Sequence, residues 1–252
     1  MTDSDSAYQP VAFVTGASSG IGRAIALRLA KVGYRIAICA RRENRLASLS
    51  DDLKALGAEV LSHRADMRKE ADILDCFALI RNLWGGVDVM VNNAGLGHKE
   101  SLMHGETEAW RDMLEVNVLA LCICTREAVK DMQVNESKGH IIHISSMAGH
   151  RIPAVGGMYS ASKFAVRSLT EGLRRELRAA NSPIRVSSIS PGFVETEFAE
   201  KYSKSAEQAR QTYSQFPVLQ PDDIADAVVY VLNQPQHVQI HDILVRPTQQ
   251  PS

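Results

Sequence analysis

The sequence predicts an α/β protein, one doubly wound domain over residues 1–252 with a seven-stranded parallel sheet and three helices on each face. Two observations carry this. Strand-like and helix-like patterns alternate along the chain without interruption, and such alternation forms a parallel sheet covered on both sides by its crossover helices. Length agrees, because 252 residues with 45% hydrophobic content can bury one large core within the single-domain range of an α/β fold. No linker, low-complexity tract or internal repeat divides the chain.

The elements follow in order. The apolar run Val11-Ala12-Phe13-Val14 makes the first strand, 11–15. After the turn Thr15-Gly16-Ala17-Ser18-Ser19-Gly20-Ile21-Gly22, the residues Ile21, Ile25, Leu29 and Val32 recur at helical spacing with Arg23, Arg28 and Lys31 between them, giving a helix over 20–32. Arg35-Ile36-Ala37-Ile38-Cys39-Ala40 reads as the second strand, and Glu43 to Leu56 as the helix after it. Further strand-like runs lie at 58–62, 87–92, 139–145, 184–190 and 240–245, with helical patterns at 70–84, 107–133, 159–180 and 222–233. Only Gly149 to Met158 and Phe193 to Pro221 read as irregular. Loops beyond the carboxyl ends of parallel strands form the ligand crevice, so both segments are expected to face substrate, 193–221 as a lid.

Charge and composition exclude several classes. A net charge of −1 without a basic stripe gives no reason to expect nucleic acid or an anionic membrane as partner. Residues 1–9 carry two acids and no leader pattern, and read as a flexible N-terminus without a signal peptide. No apolar run approaches the roughly 20 residues of a membrane span. Cys39, Cys76, Cys122 and Cys124 offer no zinc-like set, since a C-x-C pair on a helix points its thiols apart; buried reduced thiols, no metal and a cytoplasmic location are expected.

Two constellations carry chemistry. The first is the turn between the first strand and helix, spaced G-x-x-x-G-x-G. Glycines let backbone approach a phosphate, and the helix N-terminus adds free N–H groups and a positive dipole end. In dinucleotide folds an acid at the end of the second strand binds the ribose 2′-hydroxyl, whereas arginine takes a 2′-phosphate. Here that position is Ala40, followed by Arg41 and Arg42, with Arg41 the first choice for the phosphate and Arg42 the second. The alternative is a solvated basic start to the following helix. The second constellation is Tyr159 and Lys163, four residues apart on one helix face, with Ser146 thirteen positions before the tyrosine. Together they can move a proton to and from a carbonyl oxygen. Chemistry alone leaves Ser145 as an alternative to Ser146.

The turn Thr15 to Gly22, Asn92-Asn93-Ala94-Gly95, Asn117, Ser146, Tyr159-x-x-x-Lys163 and Pro191-Gly192 together resemble the short-chain dehydrogenase/reductase family over nearly the whole chain. Cys122 to Met132, Gly139 to Arg151 and Val238 to Thr248 resemble a narrower branch, that of vertebrate keto-steroid reductases and insect farnesol dehydrogenases. The resemblance implies a Rossmann fold and a homotetramer or homodimer built on helices 107–133 and 159–180. It implies hydride transfer with NADP(H) and a carbonyl or alcohol substrate. Tyr159 would be the acid or base, its pKa lowered by Lys163 and by the oxidised nicotinamide. Lys163 would also hold the nicotinamide ribose, Ser146 would bond the substrate oxygen, and Asn117 would hold a water linking Lys163 to solvent. Gly16, Ser18, Ser19, Gly20, Ile21 and Gly22 would surround the pyrophosphate. Asp66, with Met67 beside it, would meet the adenine amino group. Asn93, Ala94 and Gly95 would pack on the adenosine ribose side, and Pro191-Gly192 would bring Val194 and Thr196 to the carboxamide. Duller roles compete: Asn117 as a polar break in a helix, Asp66 as a helix N-cap.

Substrate-facing candidates are Ser146, Tyr159, His150 and Phe193, with Phe198, Tyr202, Tyr213 and Phe216 in the lid and Ile152, Val155 and Met158 in the loop. This apolar set favours a medium or bulky hydrophobic carbonyl compound. Arg151 supports a competing idea, a 3-hydroxy acid held by its carboxylate. A non-catalytic cofactor-binding scaffold is a third possibility, against which Asn117, Ser146, Tyr159 and Lys163 stand as a set that a scaffold does not need.

Overall fold

Seven parallel strands form the sheet, in the order β3-β2-β1-β4-β5-β6-β7. In the computed structural model, which describes residues 8–134, 139–152 and 156–251, these are β1 (Val11–Thr15), β2 (Arg35–Ala40), β3 (Val60–Arg64), β4 (Val89–Asn92), β5 (His140–Ile144), β6 (Arg185–Pro191) and β7 (Asp242–Val245). The described helices are α1 (Gly20–Lys31), α2 (Glu43–Ala55), α3 (Glu70–Trp84), α4 (Thr107–Leu114), α5 (Ala120–Val134), α6 (Gly157–Ala179), α7 (Phe198–Ser203), α8 (Ala206–Ser214) and α9 (Pro221–Leu232). The strand order reverses at β1, which pairs with β2 on one side and β4 on the other, so the crevice expected of such sheets opens there.

Successive strand residues alternate between two cores. Ala12 and Val14 face α1, α2 and α9, where Ile25, Leu29, Leu46, Leu49, Ile224 and Val228 are buried. Val11 and Phe13 face α3, α5 and α6, where Ile73, Phe77, Ile80, Ile123 and Leu177 are buried. The Phe13 and Phe77 rings meet edge-on, 5.3 Å apart between centroids. The predicted three helices per face are therefore present, and each turns its i, i+3, i+4 stripe inward.

Where the boundaries differ, side chains explain it. β4 begins at Val89 rather than 87: Val87 N is diverted to the Asp131 carboxylate at 3.2 Å, while Asp88 meets the β1 side through its carboxylate, which accepts from Val11 N at 2.8 Å. The helix predicted over 107–133 is interrupted by a π-helical turn, Glu115–Leu119. The segment read as irregular, 193–221, contains α7 and α8, so the described residues hold more than six helices. Neither has an apolar stripe to betray it: α7 buries no residue and α8 buries only Ala209. A 3-10 turn, Met147–Gly149, follows β5, and α6 starts two residues early, after Gly156 in a left-handed conformation (φ 98°). Val155 and the first seven residues of the expected flexible N-terminus lie outside the described residues. All four cysteines are unbonded, with Cys39, Cys76 and Cys124 buried and Cys122 only partly so. Among the described residues no helix is long and apolar enough to cross a membrane, and no group of His, Cys, Asp and Glu could hold a metal.

A one-directional hydrogen-bond chain ties the sheet to two helices. Thr170 Oγ1 donates to Val166 O at 2.7 Å, so it must accept from His143 Nδ1 at 2.8 Å. His143 Nε2 then accepts from Thr125 Oγ1 at 3.2 Å, which accepts from Asn92 Nδ2 at 3.0 Å. Burial, reinforced by the Lys163 and Arg174 cations, pushes the His143 imidazole down to about 3, and burial with Arg185 does the same to His140. The unfolded chain binds these protons from pH 6.5 downward while the fold resists them to about 3, so their stabilisation is complete above 6.5 and is lost as pH falls towards 3. Melting temperature should therefore drop steeply over that interval, and the drop should be shallower in a His140→Gln/His143→Gln variant than in the parent protein.

Candidate active site

The crevice at the β1–β4 divide is a cavity of about 970 Å³, lined by every residue expected to hold the cofactor. Its floor is the turn between β1 and α1. Gly16 and Gly20 adopt left-handed backbone (φ 66° and 54°), and a Cβ on Gly16 would stand 2.8 Å from Ala94 Cα. Asn93 locks the turn from the neighbouring strand: its Nδ2 donates to Thr15 O at 2.8 Å and Gly16 O at 3.3 Å. Thr15 Oγ1 replies by accepting from Asn93 N at 3.2 Å and Ala94 N at 3.0 Å. Asn93 thus shapes the turn as well as lining the cavity. No side chain caps α1, so its first-turn amides and its dipole are left for an anion in the cavity. The residues present fit a dinucleotide phosphate.

At the far corner, Arg41 is exposed and makes no hydrogen bond or ion pair among the described residues, whereas Arg42 is engaged. Arg42 reaches Ser18 and Ser19 of the turn and pairs with Glu197 at 2.7 Å. Asp66 lines the same corner but is held by Arg68 at 2.5 Å, whose hydrogen bond keeps the carboxyl below its usual range. It is not the N-cap of α3, a position held by Lys69.

Tyr159 and Lys163 come from the first two turns of α6, as their spacing requires. Lys163 is buried, its Nζ donating to Ile144 O at 3.0 Å and lying 6.0 Å from the Tyr159 ring centroid. Ser145 and Ser146 both line the cavity beyond the end of β5, but it is Ser146 that hydrogen-bonds the phenol, and it starts the 3-10 turn by accepting from Ala148 N at 3.1 Å. Asn117 sits in the π-helical turn, where its amide accepts from Leu96 N at 2.9 Å and donates to Leu96 O at 2.8 Å and Ser162 Oγ at 3.0 Å. It is 2% exposed and does not line the cavity; it joins the loop after β4 to α6.

The expected lowering of the tyrosine by its lysine is not what the structure holds. Burial pushes the Tyr159 phenol up to about 12, against a smaller opposite effect of Ser146, and burial pushes the Lys163 ammonium down to about 8. Both shifts have one cause, withdrawal from water, which disfavours phenolate and ammonium alike.

The substrate end departs from expectation at three described residues that do not line the cavity: Phe216, stacked on Phe193 at 6.1 Å, Met158 and His150. His150 turns behind it, 3.1 Å from Ser190 Oγ and 3.0 Å from the Asp242 carboxylate. Phe193, Arg151 and Ile152 do line it. The larger surprise is the cover: Phe198 and Tyr202 of α7 pack on the Tyr159 ring at 5.4 and 5.9 Å. The sequence places these aromatics in the lid but carries no signal of which one touches the tyrosine. Glu197, Gly97, Lys99, Arg246 and Gln250 also line the cavity and were not anticipated, since nothing local to them marks a site.

Gly22 shows how tightly the turn is built. A Cβ there would stand 2.3 Å from Asn93 Nδ2 and 2.8 Å from Gly16 O. Gly22→Ala should destabilise the protein by about 1–3 kcal/mol through overpacking, measurable by denaturant titration.

Comparison with known proteins agrees with this geometry. Residues 10–207 match the family profile described as short chain dehydrogenase. The human protein "Dehydrogenase/reductase SDR family member 11" is 49% identical over 246 residues, covering 95% of each chain. "Farnesol dehydrogenase" of Aedes aegypti is 39% identical over 242 residues, covering 94% of this chain and 95% of that one. The closed form of a serine dehydrogenase complexed with NADP+ superposes with a TM-score of 0.90 at 33% identity, covering 96% of both chains. These vertebrate and insect relatives are those of the narrower branch the sequence resembles. With a family profile across most of its length and such relatives across nearly all of it, the protein belongs to the short-chain dehydrogenase/reductase family of oxidoreductases.

Proposed function

We propose that this oxidoreductase interconverts a ketone or aldehyde with an alcohol using NADP(H), on a medium or bulky hydrophobic substrate of steroid- or terpenoid-like character. One observation carries the reading. The hydrogen-bonded Ser146 and Tyr159 hydroxyls stand beside buried Lys163 in the same cavity whose other end is the glycine-rich turn with Arg41 and Arg42. A bound nicotinamide would supply or accept hydride at its C4. Ser146 holds the substrate oxygen, and Tyr159 donates its proton to that oxygen in reduction. The raised phenol pKa keeps that proton in place before substrate arrives. In oxidation Tyr159 is the base, which requires the positive nicotinamide and Lys163 to oppose the burial effect. Asn117 fixes α6 against the loop after β4, and with Lys163 it marks the route by which a water resupplies the proton.

Cofactor choice rests on the absent acid at Ala40 and the two guanidiniums after it; one structural relative was solved with NADP+. The residues 193–221 serve as the lid of a single domain, their aromatics with Ile152 forming an apolar cover. A second reading, a 3-hydroxy acid substrate, has its own support. Arg151 lines the cavity, pairs with no acid among the described residues, and a relative acts under the name serine dehydrogenase. Assembly as a homodimer or homotetramer is supported by exposed Leu114, Leu119 and Phe164 on α4, the π-helical turn and α6. The unbonded thiols support a reducing, cytoplasmic setting.

NADPH oxidation followed by absorbance against steroids, terpenoid aldehydes, aromatic diketones and 3-oxo acids tests this. Turnover should favour the hydrophobic end of the panel, and Tyr159→Phe should lose at least about a hundredfold in kcat. Cofactor binding without turnover on any member would favour the scaffold instead. The Arg41→Ala/Arg42→Ala protein should bind NADPH on the order of tenfold more weakly, a loss of about 1.4 kcal/mol, with NADH unaffected. A parent enzyme that prefers NADH would refute the cofactor assignment.

A further inference from the structure

At the adenosine end of the cavity, a carboxylate from the lid already holds Arg42, one of the two guanidiniums that would take a phosphate, while Arg41 stays unpaired among the described residues. Glu197 directly precedes α7. Its Oε2 accepts from Arg42 Nη1 and from Lys201 Nζ, each at 2.7 Å, and its Oε1 accepts from Arg45. Three more donors of Arg42 go to the glycine-rich turn: Nε and Nη2 reach Ser18 Oγ at 3.2 and 2.9 Å, and Nη2 reaches Ser19 Oγ at 2.6 Å. One guanidinium therefore straps the turn to the lid helix. Burial raises the Glu197 carboxyl, but hydrogen bonds from Lys201, Arg45 and Arg42 outweigh it and leave the acid ionised.

We infer that Glu197 is a specificity-determining residue, an internal anion that occupies the 2′-phosphate corner and is displaced when the cofactor carries that phosphate, releasing α7 from the turn. The inference rests on the NADP(H) reading above. A phosphate monoester brings nearly twice the charge of a carboxylate and three acceptor oxygens, so it outcompetes Glu197 for the arginine fork. Displacement does not strand the acid, because Lys201, one turn later, moves with it. The Ser18 and Ser19 hydroxyls, which accept from Arg42 here, are free to rotate and donate to phosphate oxygens. A ribose with a bare 2′-hydroxyl offers no charge and leaves the strap closed. The strap matters beyond the corner because α7 also carries Phe198 and Tyr202, the aromatic cover of Tyr159. Charge at the ribose thus reaches the substrate end through one six-residue helix.

The test uses 2′,5′-ADP and 5′-AMP as probes, titrated calorimetrically into the parent protein, Glu197→Gln and Glu200→Gln. Glu200 lies on the same helix and makes no ion pair among the described residues, so its variant controls for the loss of one charge. Glu197→Gln should bind 2′,5′-ADP tighter, on the order of fivefold or more, with 5′-AMP unchanged and Glu200→Gln like the parent. Hydrogen exchange on the parent protein gives an independent reading: amides of residues 198–214 should exchange faster with saturating 2′,5′-ADP than with 5′-AMP. Equal or weaker 2′,5′-ADP binding by Glu197→Gln, or exchange at 198–214 that does not distinguish the two probes, overturns the inference while leaving NADP(H) in place. If the parent and Glu197→Gln both bind 2′,5′-ADP no better than 5′-AMP, the NADP(H) reading falls with it.

Discussion

The clamp between Thr15 and Asn93 is the constraint on which the site depends. β1 and β4 lie side by side, and their following segments must part to make a crevice. The Thr15 hydroxyl takes two backbone N–H groups from the β4 side, and the Asn93 amide takes two carbonyls from the β1 side. Four reciprocal hydrogen bonds serve backbone groups where the ladder ends. They also set the turn so close to Ala94 that only glycine fits at Gly16. The free amides of α1 face the cavity because this contact holds them there.

A second level of order is electrostatic. Lys163 is withdrawn from water beneath the glycine-rich loop after β4. Among the described residues its ammonium donates to the carbonyl of Ile144, the last residue of β5. That bond anchors α6 to the strand from which Ser146 emerges, so the tyrosine, the lysine and the serine share one frame. The chain from Asn92 through Thr125 and His143 to Thr170 secures the same helix a few turns deeper. Burial that makes this frame rigid also resists charge on the phenol. A site of this kind keeps its phenol protonated, and in either direction of transfer it needs a neighbouring cation to stabilise the phenolate.

Much of the fold was legible in the sequence because its elements are long and strongly periodic. Val11 to Thr15, the stripe of α1 and the basic end of β2 each announce themselves locally, and the i, i+4 geometry of a helix alone puts Tyr159 and Lys163 on one face. The short helices α7 and α8 were not legible, since they pack through scattered aromatics rather than an apolar stripe. His150 could not be directed from sequence either; its neighbours Ser190 and Asp242 lie 40 and more residues away.

What the sequence determined by itself was therefore the layered α/β architecture and the identity of the chemical groups, because periodicity and motif spacing are properties of adjacent residues. Only the tertiary structure decided which groups meet. Arg42 and Glu197 stand 155 positions apart, and Phe198 and Tyr202 reach Tyr159 from beyond β6. Those contacts depend on where the crossovers return the chain over the carboxyl ends of the strands. No local pattern encodes that return, and the protonation states of Tyr159 and Lys163 follow from it through burial.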